Sequence, residues 1–250
     1  MSDRPVVLIT GGSRGIGAET ARLAAARGWN VALSYVSDEA AAASVAADVA
    51  AAGVEALTVR ADVGTEADTL ALFAAVDARF GRLDALVNNA GIVAPKARVD
   101  EYDAARVERL MRVNVTGSIL CAREAVRRMS TRHGGRGGAI VNVSSVAAVL
   151  GSAGEYVDYA ASKGAIDSFT VGLAREVATE GIRVNAVRPG TVDTEIHASG
   201  GQPDRVARVR EFIPMKREGK AHEIAAAIVF LMSDDASYMT GAVIDVSGGR

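Results

Sequence analysis

Along the 250 residues, short β-branched and apolar runs alternate with longer stretches whose apolar positions recur at helical spacing. The runs predict strands over 6–10, 31–36, 56–60, 85–88, 139–144, 183–187 and 243–246. Between them, helices are predicted over 15–27, 40–52, 66–80, 103–129, 158–180 and 222–232; Leu70, Phe73 and Val76 show the spacing within the third. Strands separated by helices of this length make βαβ units, whose crossovers force a parallel sheet covered on both faces. Such strands are buried on both sides and should be continuously apolar, as VVLI and AIVNV largely are.

Composition narrows the picture. Apolar side chains make up 49% of the chain and charged ones 23%, enough for one sizeable core, and no linker or repeat divides it. A single domain over 1–250 is expected. The stretch 189–214 is irregular, and a loop that long in a compact domain usually serves function. A mobile substrate-binding segment over about 190–215 is therefore expected. Lys and Arg number 28 against 30 Asp and Glu, with no basic stripe, so no nucleic-acid partner is expected. The only cysteine, Cys121, excludes an intramolecular disulfide and a cysteine zinc site, and its apolar neighbours mark it as core. His133, His197 and His222 lack metal-site spacing, and no metal is expected. The apolar stretch 6–9 is too short for a signal peptide, and no run approaches the ~18 residues of a membrane span. A cytoplasmic protein without a membrane partner is the expectation.

Directly after the first strand stands Thr10-Gly11-Gly12-Ser13-Arg14-Gly15-Ile16-Gly17, opening a helix. Glycines let backbone approach a pyrophosphate, and the free N–H groups of a helix start favour an anion. The fold class is therefore read as α/β: a Rossmann fold with a doubly wound, parallel, seven-stranded sheet and helices on both faces. After the second strand, Ser34-Tyr35-Val36-Ser37 offers no carboxylate before Asp38. A carboxylate there would grip the ribose 2′-hydroxyl of NAD and repel a 2′-phosphate. Its absence, with Arg14 in the glycine loop, favours NADP(H) as cofactor, with NAD(H) as the alternative.

Tyr159 and Lys163 stand at i and i+4, on one helix face. A free phenol ionises near pH 10, too high for a base at neutrality. A cation at ~4 Å in an effective dielectric of about 20 contributes on the order of 4 kcal/mol. That is roughly three pKa units, enough to bring the phenol near working pH. Ser144-Ser145 ends the fifth strand, and ligands of parallel α/β sheets bind beyond the carboxyl ends of strands.

Together TGGSRGIG, Asp62-Val63, Asn88-Asn89-Ala90-Gly91, Asn114 in VNVTG, Ser145, YAASK and Pro189-Gly190-Thr191-Val192-Asp193-Thr194 span nearly the whole chain. With these pieces in this order it resembles the short-chain dehydrogenase/reductase family, most of all its glucose-1-dehydrogenase-like and 3-oxoacyl-carrier-protein-reductase-like branch. The resemblance implies hydride transfer between a nicotinamide and a small carbonyl or alcohol substrate. It implies that Tyr159 exchanges the proton, Lys163 lowers its pKa and holds the nicotinamide ribose, Ser145 orients the substrate oxygen, and Asn114 positions a relay water. Gly11, Ser13, Arg14, Gly15, Ile16 and Gly17 would line the phosphates, and Ser34, Tyr35 and Ser37 would surround the adenosine ribose. Asp62 and Val63 would flank the adenine; Asn89, Ala90 and Gly91 would border the cofactor. Pro189, Gly190, Val192 and Thr194 would meet the carboxamide end. The chain departs in one place: Ser145 to Tyr159 is fourteen steps rather than the usual thirteen, which leaves Ser144 as the alternative hydroxyl.

The resemblance also implies a homotetramer built on the helices over 103–129 and 158–180. Glu155, Tyr156, Met215 and His197 are expected near the substrate, and Arg205, Arg208 and Arg210 read as a solvated helix face, with a site for a phosphate-bearing substrate such as a carrier-protein thioester as the alternative. A non-catalytic dinucleotide sensor is the competing reading, which the presence of both Tyr159 and Lys163 disfavours.

Overall fold

The computed structural model describes residues 4–195, 200–202 and 204–250. Seven parallel strands form one sheet in the order β3-β2-β1-β4-β5-β6-β7. They are β1 (Val6–Ile9), β2 (Asn30–Tyr35), β3 (Ala56–Arg60), β4 (Ala85–Asn88), β5 (Gly138–Val143), β6 (Ile182–Pro189) and β7 (Val243–Val246). All four side chains of β1 and all four of β4 are buried, as two-sided coverage requires.

Helices α1 (Gly15–Ala26), α2 (Glu39–Ala51) and α3 (Glu66–Phe80) follow the first three strands. Asp38 caps α2 by accepting from Ala41 N at 2.9 Å, and Gly81, at φ +66°, ends α3 in the left-handed conformation that glycine adopts freely. The helix predicted over 103–129 is two helices, α4 (Ala104–Met111) and α5 (Ser118–Met129), joined by one π-helical turn, Arg112–Gly117. No apolar spacing marks that turn. Next come the short α6 (Ala147–Leu150) and the long α7 (Val157–Val177). The irregular stretch expected over 189–214 contains α8 (Arg205–Val209) and a 3-10 turn, Arg210–Phe212; α9 (Ala221–Met232) precedes β7. Among the described residues no helix is long and apolar enough to cross a membrane.

The core has two layers. Ala21 and Ala24 of α1, Val45 of α2 and Ile228 of α9 pack on one sheet face. Phe73 of α3, Cys121 of α5 and Val177 of α7 pack on the other. Strand order reverses at β1, which pairs β2 on one side and β4 on the other. The crevice at that switch is where α/β sheets bind ligands. The loops after β1 and β4 meet there.

Candidate active site

Those two loops are sewn together by Thr10 and Asn89. The Thr10 hydroxyl accepts from Asn89 N at 3.1 Å and Ala90 N at 3.0 Å, while Asn89 Nδ2 donates to the carbonyls of Thr10 and Gly11, both at 2.9 Å. The result is a turn open to one side, with Gly11 at φ +63° and Gly15 at φ +53°. A Cβ on Gly17 would lie 2.5 Å from the Gly11 carbonyl oxygen and 2.6 Å from Asn89 Nδ2, so only glycine lets α1 start this close to the loop. The first turn of α1 carries no carboxylate and no side-chain cap, which leaves its N–H groups for an anion.

The loop opens on a cleft of about 900 Å³, lined by Gly11, Ser13, Arg14, Gly15, Ile16, Ser34, Tyr35, Ser37, Asp62, Val63, Asn89, Ala90 and Gly91. These are the positions expected at the phosphates, the adenosine and the border after β4, apart from Gly17, which is buried behind them. A glycine cradle closed to a Cβ at Gly12 and Gly17, opening a helix whose own first turn has no carboxylate, fits a dinucleotide's pyrophosphate; the Glu195 carboxylate stands at its edge, Oε2 3.7 Å from where a Gly15 Cβ would lie. The ribose end differs from expectation at Ser34: its side chain is buried, and its hydroxyl accepts from Gly11 N at 3.2 Å, so it shapes the loop. Asp62 is held from within, Oδ1 accepting from Gly64 N at 2.9 Å. The first carboxylate after β2, Asp38, is occupied in capping α2, and the exposed Arg14 side chain has no hydrogen-bond or ion-pair partner among the described residues.

Ile16, Asn89, Gly91, Val93 and Thr194 also line a second, adjoining cavity of about 610 Å³. Its walls include Ser145, Tyr159, Lys163, Pro189, Gly190 and Val192. Ser145 and Ser144 diverge at the end of β5: buried Ser144 donates to the Lys163 carbonyl at 3.2 Å, whereas Ser145 stays partly exposed, accepting from Ala147 N at 3.1 Å. The fourteen steps from Ser145 to Tyr159 run through α6 and the turns after it, where Gly151 and Gly154 have positive φ. Tyr156 meets Tyr159 edge-on, ring centroids 5.7 Å apart. Asn114 does not line either cavity. It is buried in the π-helical turn, where Oδ1 accepts from Ile92 N at 2.8 Å and Nδ2 donates to Ile92 O at 2.9 Å and Ser162 Oγ at 3.1 Å. Its side chain braces the loop after β4 against α7.

The electrostatics correct the sequence reading. The Lys163 ammonium lies 5.7 Å from the Tyr159 ring centroid and donates to the main-chain carbonyl of Val143 at 2.7 Å. Burial pushes the Tyr159 phenol up to about 12, opposed by the Ser145 hydroxyl and the Arg205 charge. Burial likewise lowers Lys163 to about 8, opposed by Asp167. Desolvation is the largest cause of both shifts.

Residues 11–250 match the family model described as "Enoyl-(Acyl carrier protein) reductase". The chain is 55% identical over 245 residues to "Uncharacterized oxidoreductase YgfF" of Escherichia coli (strain K12), covering 98% of this chain and 99% of that protein. It is 43% identical to the "Cis-4-hydroxycyclohexanecarboxylate dehydrogenase" of Sinomonas cyclohexanicum, covering 98% and 95%. A short-chain dehydrogenase from Burkholderia cenocepacia J2315, solved in complex with NADP, superposes with a TM-score of 0.90 at 32% identity, covering 98% of this chain and 97% of that one. The chain belongs to the short-chain dehydrogenase/reductase family.

This short-chain dehydrogenase/reductase is an NAD(P)-dependent oxidoreductase acting on CH–OH groups. The wall of the second cavity departs from the sequence reading in two places. Arg205 is not on a solvated face: its side chain is 11% exposed, pairs with Glu155 and stands 4.8 Å from the Tyr156 ring centroid. Met215 is exposed and does not line the cavity, unlike Glu155 and Tyr156. Arg210, exposed and paired with Glu218 at 2.9 Å, keeps to the solvated face expected of it. His197 lies outside the described residues. Sequence reasoning missed Gln202 and Arg250 in the cavity wall, and no local signal marks either. It also missed Arg106, which donates to Asp158 Oδ2 at 2.7 Å while Asp158 Oδ1 accepts from Tyr159 N at 2.9 Å. Arg106 thus steadies the turn that carries Tyr159.

Proposed function

We propose that this enzyme interconverts a ketone and a secondary alcohol, with NADP(H) preferred and Tyr159 as the acid–base group. When bound, the nicotinamide supplies or accepts the hydride. The observation that carries the reading is that Ser145, Tyr159 and Lys163 line one cavity that continues into the glycine-loop cleft. A phenol near 12 keeps its proton at neutral pH, the state needed to donate to a carbonyl oxygen as it gains charge. Ser145 holds that oxygen by a hydrogen bond. Lys163, charged below about 8, binds the nicotinamide ribose, and buried Asn114 keeps the Ile92 loop and α7 in register. Its relay role requires its main-chain carbonyl, since the side chain is engaged; that carbonyl accepts from Ser118 Oγ at 3.1 Å and has a second lone pair.

The preference for NADP(H) over NAD(H) rests on the lack of a carboxylate from Ser34 to Ser37 and on unpaired Arg14, which would meet a 2′-phosphate. A relative named as a hydroxycyclohexanecarboxylate dehydrogenase and a neighbour solved with NADP support the same reading. The test is a screen of NADPH and NADH oxidation against ketones, 3-oxoacyl thioesters and aldoses. Ketone-dependent oxidation, faster with NADPH, is expected. Cofactor binding without oxidation by any carbonyl would favour a sensor instead.

A further inference from the structure

We propose that the substrate carries a carboxylate remote from its reacting carbon, so that the enzyme interconverts an oxo acid and a hydroxy acid. This rests on the reading of Tyr159 and Ser145 given above and adds what the far side of the same cavity recognises. Three guanidiniums, Arg205, Arg208 and Arg250, line that side with a single carboxylate, Glu155.

Their hydrogen bonds separate them into two kinds. Arg205 is committed: it pairs with Glu155 and stacks on Tyr156, and Glu155 stays ionised because the two arginines and Lys96 outweigh its burial. Arg208 touches Glu155 Oε1 at 3.4 Å and donates to Gln202 Oε1, both from Nη2. Arg250 donates from Nη1 to the Thr191 hydroxyl at 3.4 Å, a long contact to a neutral acceptor. A guanidinium has five N–H donors, so both retain several for a ligand. Arg205 and Arg208 share Glu155, so among the described side chains of this wall three guanidiniums face one carboxylate.

The wall also carries apolar side chains, with Val93, Val146, Leu150, Tyr156, Val209 and Phe212 available to a carbon skeleton. Phe212 is 75% exposed, which places apolar surface at the mouth. A neutral polyol would leave both guanidiniums unmatched, and an ammonium would be repelled. A planar carboxylate accepts paired N–H bonds from a guanidinium, and such charge-assisted bonds are the stronger kind.

The experiment compares matched pairs, 4-oxocyclohexanecarboxylate and 4-oxopentanoate against their ethyl esters, in NADPH and NADH oxidation. The acids should exceed the esters by about tenfold or more in kcat/KM, chiefly through KM. Added salt should shrink the ratio by screening. In the double variant Arg208→Gln, Arg250→Gln the ratio should fall to about one. The double variant Arg208→Lys, Arg250→Lys, which keeps both charges, should retain a preference for the acid. NADPH fluorescence checks that each variant is folded. Esters turned over as well as the acids, or a ratio that survives the glutamine changes, overturn the proposal while leaving the reductase reading intact. Inertness toward every ketone, acid and ester alike, sinks that reading and this one with it. A third arm sets an acetoacetyl thioester of coenzyme A against that of N-acetylcysteamine. An arginine-dependent preference confined to the coenzyme A form would assign the charges to a phosphate and overturn the carboxylate.

Discussion

Lys163 Nζ donates to the carbonyl of Val143, the last residue of β5, at 2.7 Å. This bond fixes α7 against the strand end that carries Ser145, with the ammonium 5.7 Å from the Tyr159 ring centroid. Because burial lowers Lys163 to about 8 from an ordinary 10.5, the folded chain binds fewer protons than the unfolded chain between those values. Stability contributed by this group therefore rises with pH across that window; its destabilisation is full below about 8. Lys163→Met should remove that rise. Melting temperatures of the two proteins between pH 8 and 10.5 check it: the gap favouring the variant should narrow as pH rises. The same variant should lose most turnover.

Gly17→Ala introduces a Cβ 2.5 Å from the Gly11 carbonyl oxygen, a contact that α1 and the loop must relieve by moving apart. The expected cost is about 1–3 kcal/mol of stability. Dinucleotide affinity should fall by a larger factor than the same loss of stability produces elsewhere, because the displaced atoms are the cradle itself. Urea unfolding and NADPH fluorescence titration measure the two effects.

Arg106→Ala leaves Asp158, with a 3% exposed side chain, buried and unpaired. Removing one partner of such a pair costs about 3 kcal/mol. Burial would raise the Asp158 carboxyl, but the Arg106 guanidinium and the Tyr159 N–H more than offset it, so its pKa lies below the ordinary 3.8. The stabilisation is complete above that ordinary value and is lost as pH falls through the lowered one. Urea midpoints at pH 7 and in acid should show the gap between wild type and variant closing only in acid. Turnover should drop too, since Asp158 anchors the first turn of α7 beside Tyr159.

Fold and cleft were legible because they depend on short-range pattern. VVLI and AIVNV are buried strands on composition alone, and TGGSRGIG between strand and helix has few structural uses. The Tyr159–Lys163 spacing placed both side chains on one cavity, but spacing says nothing of burial, which is the largest cause of the upward shift of the phenol. The π-helical turn around Asn114 leaves no periodic trace, and its side chain's partners, Ile92 and Ser162, lie on other elements. Arg205 and Glu155 are 50 residues apart; only the folded chain turns a seemingly solvated arginine into a cavity wall. Ser144 and Ser145 were distinguishable only once the strand end showed which hydroxyl faced α7.

The central claim is that the Tyr159 hydroxyl is the proton-exchanging group. Tyr159→Phe removes one oxygen from a ring whose packing on Tyr156 is unchanged, so fold and NADPH affinity should hold within about twofold. Single-turnover NADPH oxidation by the best ketone should slow by about a hundredfold to ten-thousandfold, the range expected when a general acid is deleted. A variant that oxidises NADPH at nearly the wild-type rate would contradict the account.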